Sequence, residues 1–148
     1  MSKFKLTKES KELLCGTKVY RIELLIDTLW GKKGDKGGFV ESENNLSQSG
    51  DAWVFGDAEV FGDARVSGNA RVSAKNDIIA FQYVGSEDGT LTAFRQKDGS
   101  IFCRRGCFSG TLAEFKEAVK YTHKSNMFAK QYKLAIQMIE LKLGANND

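Results

Sequence analysis

A basic and aromatic stretch in the last third of the chain has the residue types that bind phosphate. Arg95, Arg104 and Arg105 supply three guanidinium groups that are close together in sequence. A guanidinium is planar and donates parallel hydrogen bonds to a phosphate, while a phenyl ring offers a face on which a nucleobase stacks. The predicted ligand site consists of Arg95, Arg104, Arg105, Phe94, Thr92, Phe108 and Ser109. The alternative is an edge hairpin whose arginines are solvated.

The other reactive residues do not form a catalytic or metal-binding pattern. The glycine-rich segment 31–38 lacks the GxxxxGK[ST] phosphate loop and precedes a strand rather than a helix. Cys103 and Cys107 are four residues apart, about 13 Å along a strand, which is too far to share one metal ion without a turn. His123, the single histidine, is at the end of a predicted helix, where we expect it to act as a cap. We therefore assign no catalytic residue, no metal ligand and no cofactor, and predict a protein that is not an enzyme.

Charge is distributed unevenly along the chain. The formal net charge is +3, from 22 Lys and Arg against 19 Asp and Glu. Residues 45–94 are acidic, whereas residues 95–142 carry ten basic and four acidic side chains. Such a basic third indicates either a solvated helix face or a surface for a phosphorylated ligand or a nucleic acid. Of the two ligands we favour a small nucleotide-like molecule, and nucleic acid is not the expected partner.

Composition predicts a folded protein of the cytoplasm. The 148 residues are 41% hydrophobic, which is enough for a core, and no apolar run approaches the roughly 20 residues that a membrane helix needs. The three cysteines form an odd set, and the chain does not start with the charged and then apolar pattern of a signal peptide. We therefore expect reduced thiols, a cytoplasmic location and no membrane partner.

A six-residue repeat organises the middle of the chain. From Phe39 onward, seven hexads place alanine, valine and glycine in constant columns, with Asp or Asn before each alanine. The alanines are 52, 58, 64 and 70, and the valines are 54, 60, 66 and 72. Short strands that turn at Gly-Asp or Gly-Asn would stack into a solenoid with valines inside. The pattern resembles the hexapeptide repeat of left-handed parallel β-helices.

The segments on either side of the repeat predict antiparallel strands and helices. Residues 3–6 and 19–26 are expected to pair as an N-terminal β-hairpin, and 78–84, 90–96 and 100–108 to be short strands. Thr111 and Glu114 have the spacing of a capping box, and Asn126 precedes a second helix that ends at Gly144. The predicted fold is mainly β with C-terminal helices: an N-terminal cap (1–38), a short left-handed parallel β-helix (39–80), and C-terminal strands with two helices (81–148), all in one compact unit.

The whole chain resembles a family of small phage and prophage hexapeptide-repeat proteins. The resemblance rests on Gly37-Gly38-Phe39-Val40-Glu41, on Asn45-Leu46-Ser47, on the repeat from Gly50, and on segments 89–95 and 106–112. It implies the β-helix fold and a phage origin. Viral sequestration of a nucleotide-type immune signal offers an analogy for the role. The predicted function is non-enzymatic binding and sequestration of a small phosphorylated ligand at subunit seams of a homo-oligomer, with a trimer expected. The alternatives are a structural or protein-interaction module and a degenerate acyl- or nucleotidyltransferase.

Overall fold

The computed structural model describes residues 2–85, 89–106, 108–123 and 126–144. Contacts within the chain divide it into two units, Met1–Asp77 and Ile78–Asp148. The fold is mainly β with two C-terminal helices, as the sequence predicts.

The first unit contains six strands in two sheets. They are β1 (Phe4–Glu12), β2 (Lys18–Leu24), β3 (Lys36–Val40), β4 (Trp53–Val54), β5 (Glu59–Val60) and β6 (Arg71–Val72). One sheet has the order β1-β2-β3-β5, and the other pairs β4 with β6. The predicted N-terminal hairpin is confirmed, because β1 and β2 pair antiparallel with Phe4 opposite Leu24.

The left-handed parallel β-helix predicted over 39–80 is wrong. The parallel strand pairs in this region, β3 with β5 and β4 with β6, are two residues long, and one isolated parallel bridge joins Leu46 to Val66. β5 forms the edge of a sheet whose other pairs are antiparallel, and neither sheet is closed. The six-residue period specifies which side chains are buried, but it does not specify the strand partners. One side of β3 hydrogen-bonds to the N-terminal hairpin through β2, so the repeat is built onto a mixed sheet instead of winding as regular coils.

Burial nevertheless follows the hexad columns. Ala52, Ala58, Ala64 and Ala70, with Val54, Val60, Val66 and Val72, are at most 4% exposed. The glycines at 50, 56, 62 and 68 all have positive φ, between 55° and 73°. That conformation is inexpensive for glycine alone, so each glycine turns the chain between two buried segments. The prediction that Val60 and Val66 are interior is confirmed.

Two adjacent glycines let β3 lie against the repeat. A Cβ added at Gly37 would lie 2.6 Å from the Trp53 ring, and one added at Gly38 would lie 2.7 Å from the carbonyl oxygen of Ala58. A side chain at either position would therefore collide with neighbouring atoms. The glycine-rich segment serves close packing here.

The second unit is an antiparallel sheet covered by two helices. Its strands are β7 (Ile78–Val84), β8 (Gly89–Arg95), β9 (Ile101–Arg105) and β10 (Phe108–Thr111), in the order β10-β9-β8-β7. The helices are α1 (Leu112–His123) and α2 (Met127–Leu143). The core consists of Leu91, Ala93, Cys103, Phe115, Val119, Tyr132, Ala135, Ile136, Ile139 and Leu143. The predicted strand 100–108 ends as β9 at Arg105, and Phe108 begins a further strand, β10, that pairs with β9.

Both helices begin where the sequence predicts. The amide of Thr111 donates to Glu114 Oε1 at 2.8 Å, and the amide of Glu114 donates to Thr111 Oγ1 at 3.2 Å, which forms the predicted capping box. The amide of Ala129 donates to the Asn126 side chain at 3.0 Å, and the amide of Gly144 donates to the carbonyl of Glu140 at 2.9 Å. These bonds satisfy backbone groups that lack partners within the helices.

Candidate functional site

The predicted arginine site is divided between the two faces of the second sheet. Successive strand residues point to opposite faces, and Leu91, Ala93 and Cys103 define the face that packs on the helices. By this alternation Arg95 and Arg105 belong to the helix-covered face. The same face carries Phe108, which packs against the core. The opposite face carries Thr92, Phe94, Arg104 and Ser109.

Arg95 and Arg105 are integrated into the helix-covered side of the sheet. The Arg95 guanidinium donates to the carbonyl of Leu143 at 2.9 Å, near the C-terminus of α2, and to the carbonyl of Gly99 at 3.3 Å. The first of these contacts satisfies an end carbonyl of the helix and places a cation at the negative end of its dipole. The Arg105 guanidinium lies 5.8 Å from the centroid of the Tyr132 ring. Both arginines therefore have structural contacts with α2.

On the opposite face, three of the predicted residues form one row. Arg104 is paired with Thr92 on one side and with Ser109 on the other. Thr92 is buried, Arg104 is half-buried and Ser109 is exposed. Phe94 is fully buried and lies 5.7 Å from Phe102 between ring centroids. This row therefore brings together one arginine and two hydroxyls, without the other two arginines.

The structure describes only some of the reactive side chains that the sequence contains. Cys103 is buried in the core, and burial raises the pKa of its thiol to about 12, so the reactive thiolate is disfavoured. Cys107 and the side chain of His123 lie outside the described residues. Within the part of the chain that the structure describes, no three His, Cys, Asp or Glu side chains are grouped to hold a metal ion.

The second unit has a groove between α1 and α2. Its volume is about 550 Å³, within the range of small-molecule sites. The lining residues are Lys116, Val119, Lys120, Ala129, Lys130, Lys133, Ile136, Gln137 and Glu140. We call this site the lysine groove.

The floor and rim of the lysine groove differ in chemistry. Val119 and Ile136 are each 8% exposed and form an apolar floor with Ala129. Four ammonium groups stand around it, against one carboxylate among the described lining residues, that of Glu140. Lys116 Nζ lies 2.9 Å from Glu140 Oε2, and Lys120 Nζ lies 3.7 Å from Glu117 Oε1. The groove thus combines net positive charge with apolar surface, which suits an anion that has an apolar or aromatic body.

The lysine groove is not among the sites that the sequence predicts. The available signal is spacing: Lys116 and Lys120 are four residues apart, and Lys130 and Lys133 are three apart, so each pair lies on one side of its helix. Which sides of α1 and α2 face each other depends on how the helices pack on the sheet. That packing is a long-range property that the spacing alone does not determine.

Comparison with known proteins gives no match. No family model matches the sequence, no curated protein matches it, and no solved structure matches it. The resemblance to phage hexapeptide-repeat proteins, and the role that it implies, therefore stay predictions. Within the described residues, none of the helices has the length and apolar character required to cross a membrane.

Proposed function

We propose that this protein binds and sequesters a small phosphorylated, nucleotide-like molecule without transforming it, and that the ligand occupies the lysine groove. The observation that carries the proposal is the set of four lysines around an apolar floor, in a groove of about 550 Å³. Phosphate groups would contact the ammonium groups. The base or another apolar part of the ligand would cover Val119 and Ile136.

The lysine groove supports this function better than the arginine set does. Arg95 and Arg105 contact α2, whereas Lys130 and Lys133 project from exposed positions on the groove rim. Lysine is a compact cation on a flexible stem, so the rim accommodates phosphates in several positions. Selectivity would then come from the shape of the apolar floor rather than from bidentate hydrogen bonds.

Mass spectrometry of small molecules retained by the purified protein tests this function. The protein is expressed beside enzymes that synthesise nucleotide signals, purified at low salt and denatured, and the released compounds are identified. We expect a phosphorylated compound from the wild type and from Lys8→Glu, an exposed charge change in β1, and its loss from Lys133→Glu. Release of the same compound in the same amount from Lys133→Glu would contradict the groove as its site.

The oligomeric state and the compartment are also proposals. The homotrimer stays a proposal: threefold packing suits the triangular coil of a left-handed β-helix, which the structure does not form, and the exposed apolar side chains of α2 also favour an oligomer. The lysine groove lies within one chain and replaces the predicted ligand site at the subunit seams. Sedimentation equilibrium tests the homotrimer, and a concentration-independent 16.4 kDa species would exclude it. The proposed compartment is the cytoplasm, which the free thiols of Cys15 and Cys103 favour. The phage origin stays an implication of the resemblance.

A protein-interaction module is the second candidate function. The observation in its favour is a row of exposed apolar side chains on α2, such as Leu134 and Leu141. This function does not exclude ligand binding, because the row and the apolar floor of the lysine groove lie on different sides of the helix.

A further inference from the structure

The positive charges of the lysine groove are gathered toward one of its ends. α1 ends at His123 and α2 begins at Met127, so a connection of three residues joins the two helices at that end. Lys120 and Lys130 each lie three residues from the connection end of their helix, about 4.5 Å along the helix axis. Lys133 is three residues further along α2. We call Lys120, Lys130 and Lys133 the lysine cluster.

The opposite end of the groove is electrically neutral. Along α1, Lys116 lies about 6 Å further from the connection than Lys120, and along α2, Glu140 lies about 10 Å further than Lys133. Lys116 Nζ and Glu140 Oε2 are 2.9 Å apart, so these two residues form an ion pair. The groove therefore has a positive end at the connection and a neutral end at the Lys116–Glu140 pair.

Little negative charge offsets the lysine cluster. Among the described residues that line the groove, Glu140 carries the one carboxylate, and it lies at the neutral end. Lys120 is paired with Glu117 at 3.7 Å, but the two side chains are 74% and 77% exposed, so water screens the pair. Lys130 and Lys133 are exposed and lie beside each other on one side of α2. The lysine cluster can therefore neutralise up to about three negative charges.

The charge of the lysine cluster indicates how many phosphates suit it. A single phosphate monoester carries a charge of about −1.5 to −2 at pH 7, which one or two ammonium groups neutralise. Three neighbouring ammonium groups repel one another, and an anion with three or more negative charges in a short span relieves that repulsion best. A chain of two or three linked phosphates is such an anion. Its organic part can then cover the apolar floor at Val119 and Ile136.

We propose that the lysine groove selects nucleotide-like ligands with two or more linked phosphates, and that the lysine cluster determines this selectivity. The phosphates lie at the connection between the helices. The organic part extends over the apolar floor toward the Lys116–Glu140 pair. This inference rests on the proposed function, because it requires a phosphorylated ligand in the groove.

Two nucleotide series measure the selectivity in the full-length protein. Calorimetry gives the affinities of the mono-, di- and triphosphates of adenosine and guanosine in a metal-free buffer. We expect at least one triphosphate to bind the wild type about tenfold more tightly than the monophosphate of the same nucleoside. Inorganic tripolyphosphate should bind more weakly than that triphosphate, because it has no apolar group to cover the floor of the groove.

Variants at the two ends of the groove locate the selectivity. In Lys130→Ala/Lys133→Ala, the ratio of triphosphate to monophosphate affinity should fall from about tenfold to about threefold or less. Lys116→Ala/Glu140→Ala removes one charge of each sign at the neutral end, so the ratio should stay close to that of the wild type. Lys8→Ala removes one exposed positive charge in β1 and should also keep the ratio.

The outcomes separate this inference from the proposed function. Equal affinity of the wild type for mono- and triphosphates would overturn the inference, as would an unchanged ratio in Lys130→Ala/Lys133→Ala. The proposed function would survive either result if Lys133→Ala still weakened both nucleotides. Should the double variant fail to fold, Lys120→Ala provides the same test with a smaller expected fall in the ratio.

Two further results would count against the inference in different ways. If inorganic tripolyphosphate bound as tightly as the nucleoside triphosphate, the organic part would not lie on the apolar floor, and the direction assigned to the ligand would be wrong. If no nucleotide of either series bound the wild type, the inference and the proposed function would both be contradicted.

Discussion

Lys116 Nζ lies 2.9 Å from Glu140 Oε2, and this ion pair connects α1 to α2 across the lysine groove. Both side chains remain 40% to 49% exposed, so water screens the pair and its contribution to stability is small. Glu140 neutralises one of the four lysines and repels any anion that enters the groove.

Removing that carboxylate should strengthen anion binding. In Glu140→Gln the side chain keeps its size, Lys116 becomes available to the ligand and the groove gains one positive charge. We expect a nucleoside triphosphate to bind roughly three to ten times more tightly, as measured by calorimetry. Glu12→Gln, the same change at an exposed position in β1, serves as the control. Equal or weaker binding by Glu140→Gln would show that the anion does not occupy the groove.

Asn45 should be essential to the stability of the repeat. Its Oδ1 accepts hydrogen bonds from the amides of Glu41 and Ser42, and its Nδ2 donates to the carbonyls of Gly62 and Ala64. Asn45→Ala would deprive one buried and three partly buried backbone groups of these partners, which should lower the free energy of unfolding by about 3 kcal/mol.

Chemical denaturation measures the effect, with Asn44→Ala as the matched control, since the neighbouring Asn44 is exposed. A destabilisation of Asn45→Ala no larger than that of the control would mean that this hydrogen-bond network does not hold the repeat together.

The hexad columns predict a sharp contrast between adjacent residues. Val60 is 1% exposed and Phe61 is 43% exposed. Val60→Asp places an uncompensated charge in the core and should cost about 3–5 kcal/mol, as should Val66→Asp. Phe61→Asp should have a much smaller effect. Thermal unfolding of the three variants tests this prediction. If Val60→Asp melted at the same temperature as the wild type, the assignment of the valine column to the interior would be wrong.

Lys3 should make stability depend on pH in the alkaline range. Its ammonium is buried and donates to the carbonyls of Ala52 at 2.6 Å and Gly50 at 3.4 Å. Burial lowers the pKa of Lys3 from 10.5 to about 8, an effect that Asp51 partly opposes. Between these two pKa values the unfolded chain binds more protons than the folded one. The contribution of Lys3 therefore becomes more favourable as the pH rises from 8 to 10.5, by about 2–3 kcal/mol.

The Lys3→Met variant isolates this effect. Cys103 acts in the opposite direction above pH 9, because its folded pKa is raised to about 12, but it is present in both proteins and cancels in their difference. We expect the wild type to gain stability relative to Lys3→Met between pH 8 and 10.5 in urea denaturation. A difference that is constant with pH would show that Lys3 is not desolvated.

The sequence predicted local structure well and strand partners poorly. The hexad columns placed Val60 and Val66 inside because burial follows from local periodicity, and Thr111 and Asn126 marked helix starts because capping involves residues close in sequence. The partner of β3 could not be predicted, since pairing with β2 or with β5 depends on contacts between distant segments.

For the candidate site too, the sequence predicted local features but not the contacts between distant segments. Arg95 and Arg105 lie on one face of the sheet and Arg104 lies on the other. This placement follows from the strand register, which is set by the pairing of β8, β9 and β10. The lysine groove requires α1 and α2 to meet at particular sides, which the packing on the sheet decides. Spacing along the chain identifies the charged residues, and tertiary packing determines which of them come together.

Calorimetric titration of a nucleotide panel at low and moderate salt tests the central claim most directly. At least one phosphorylated compound should bind the wild type, and Lys133→Ala should weaken it about tenfold, while Arg104→Ala and Lys8→Ala leave its affinity unchanged. Loss of affinity in Arg104→Ala with wild-type affinity in Lys133→Ala would contradict the account and place the site on the row of Thr92, Arg104 and Ser109. If no compound of the panel bound the wild type, sequestration of a nucleotide would be contradicted as well.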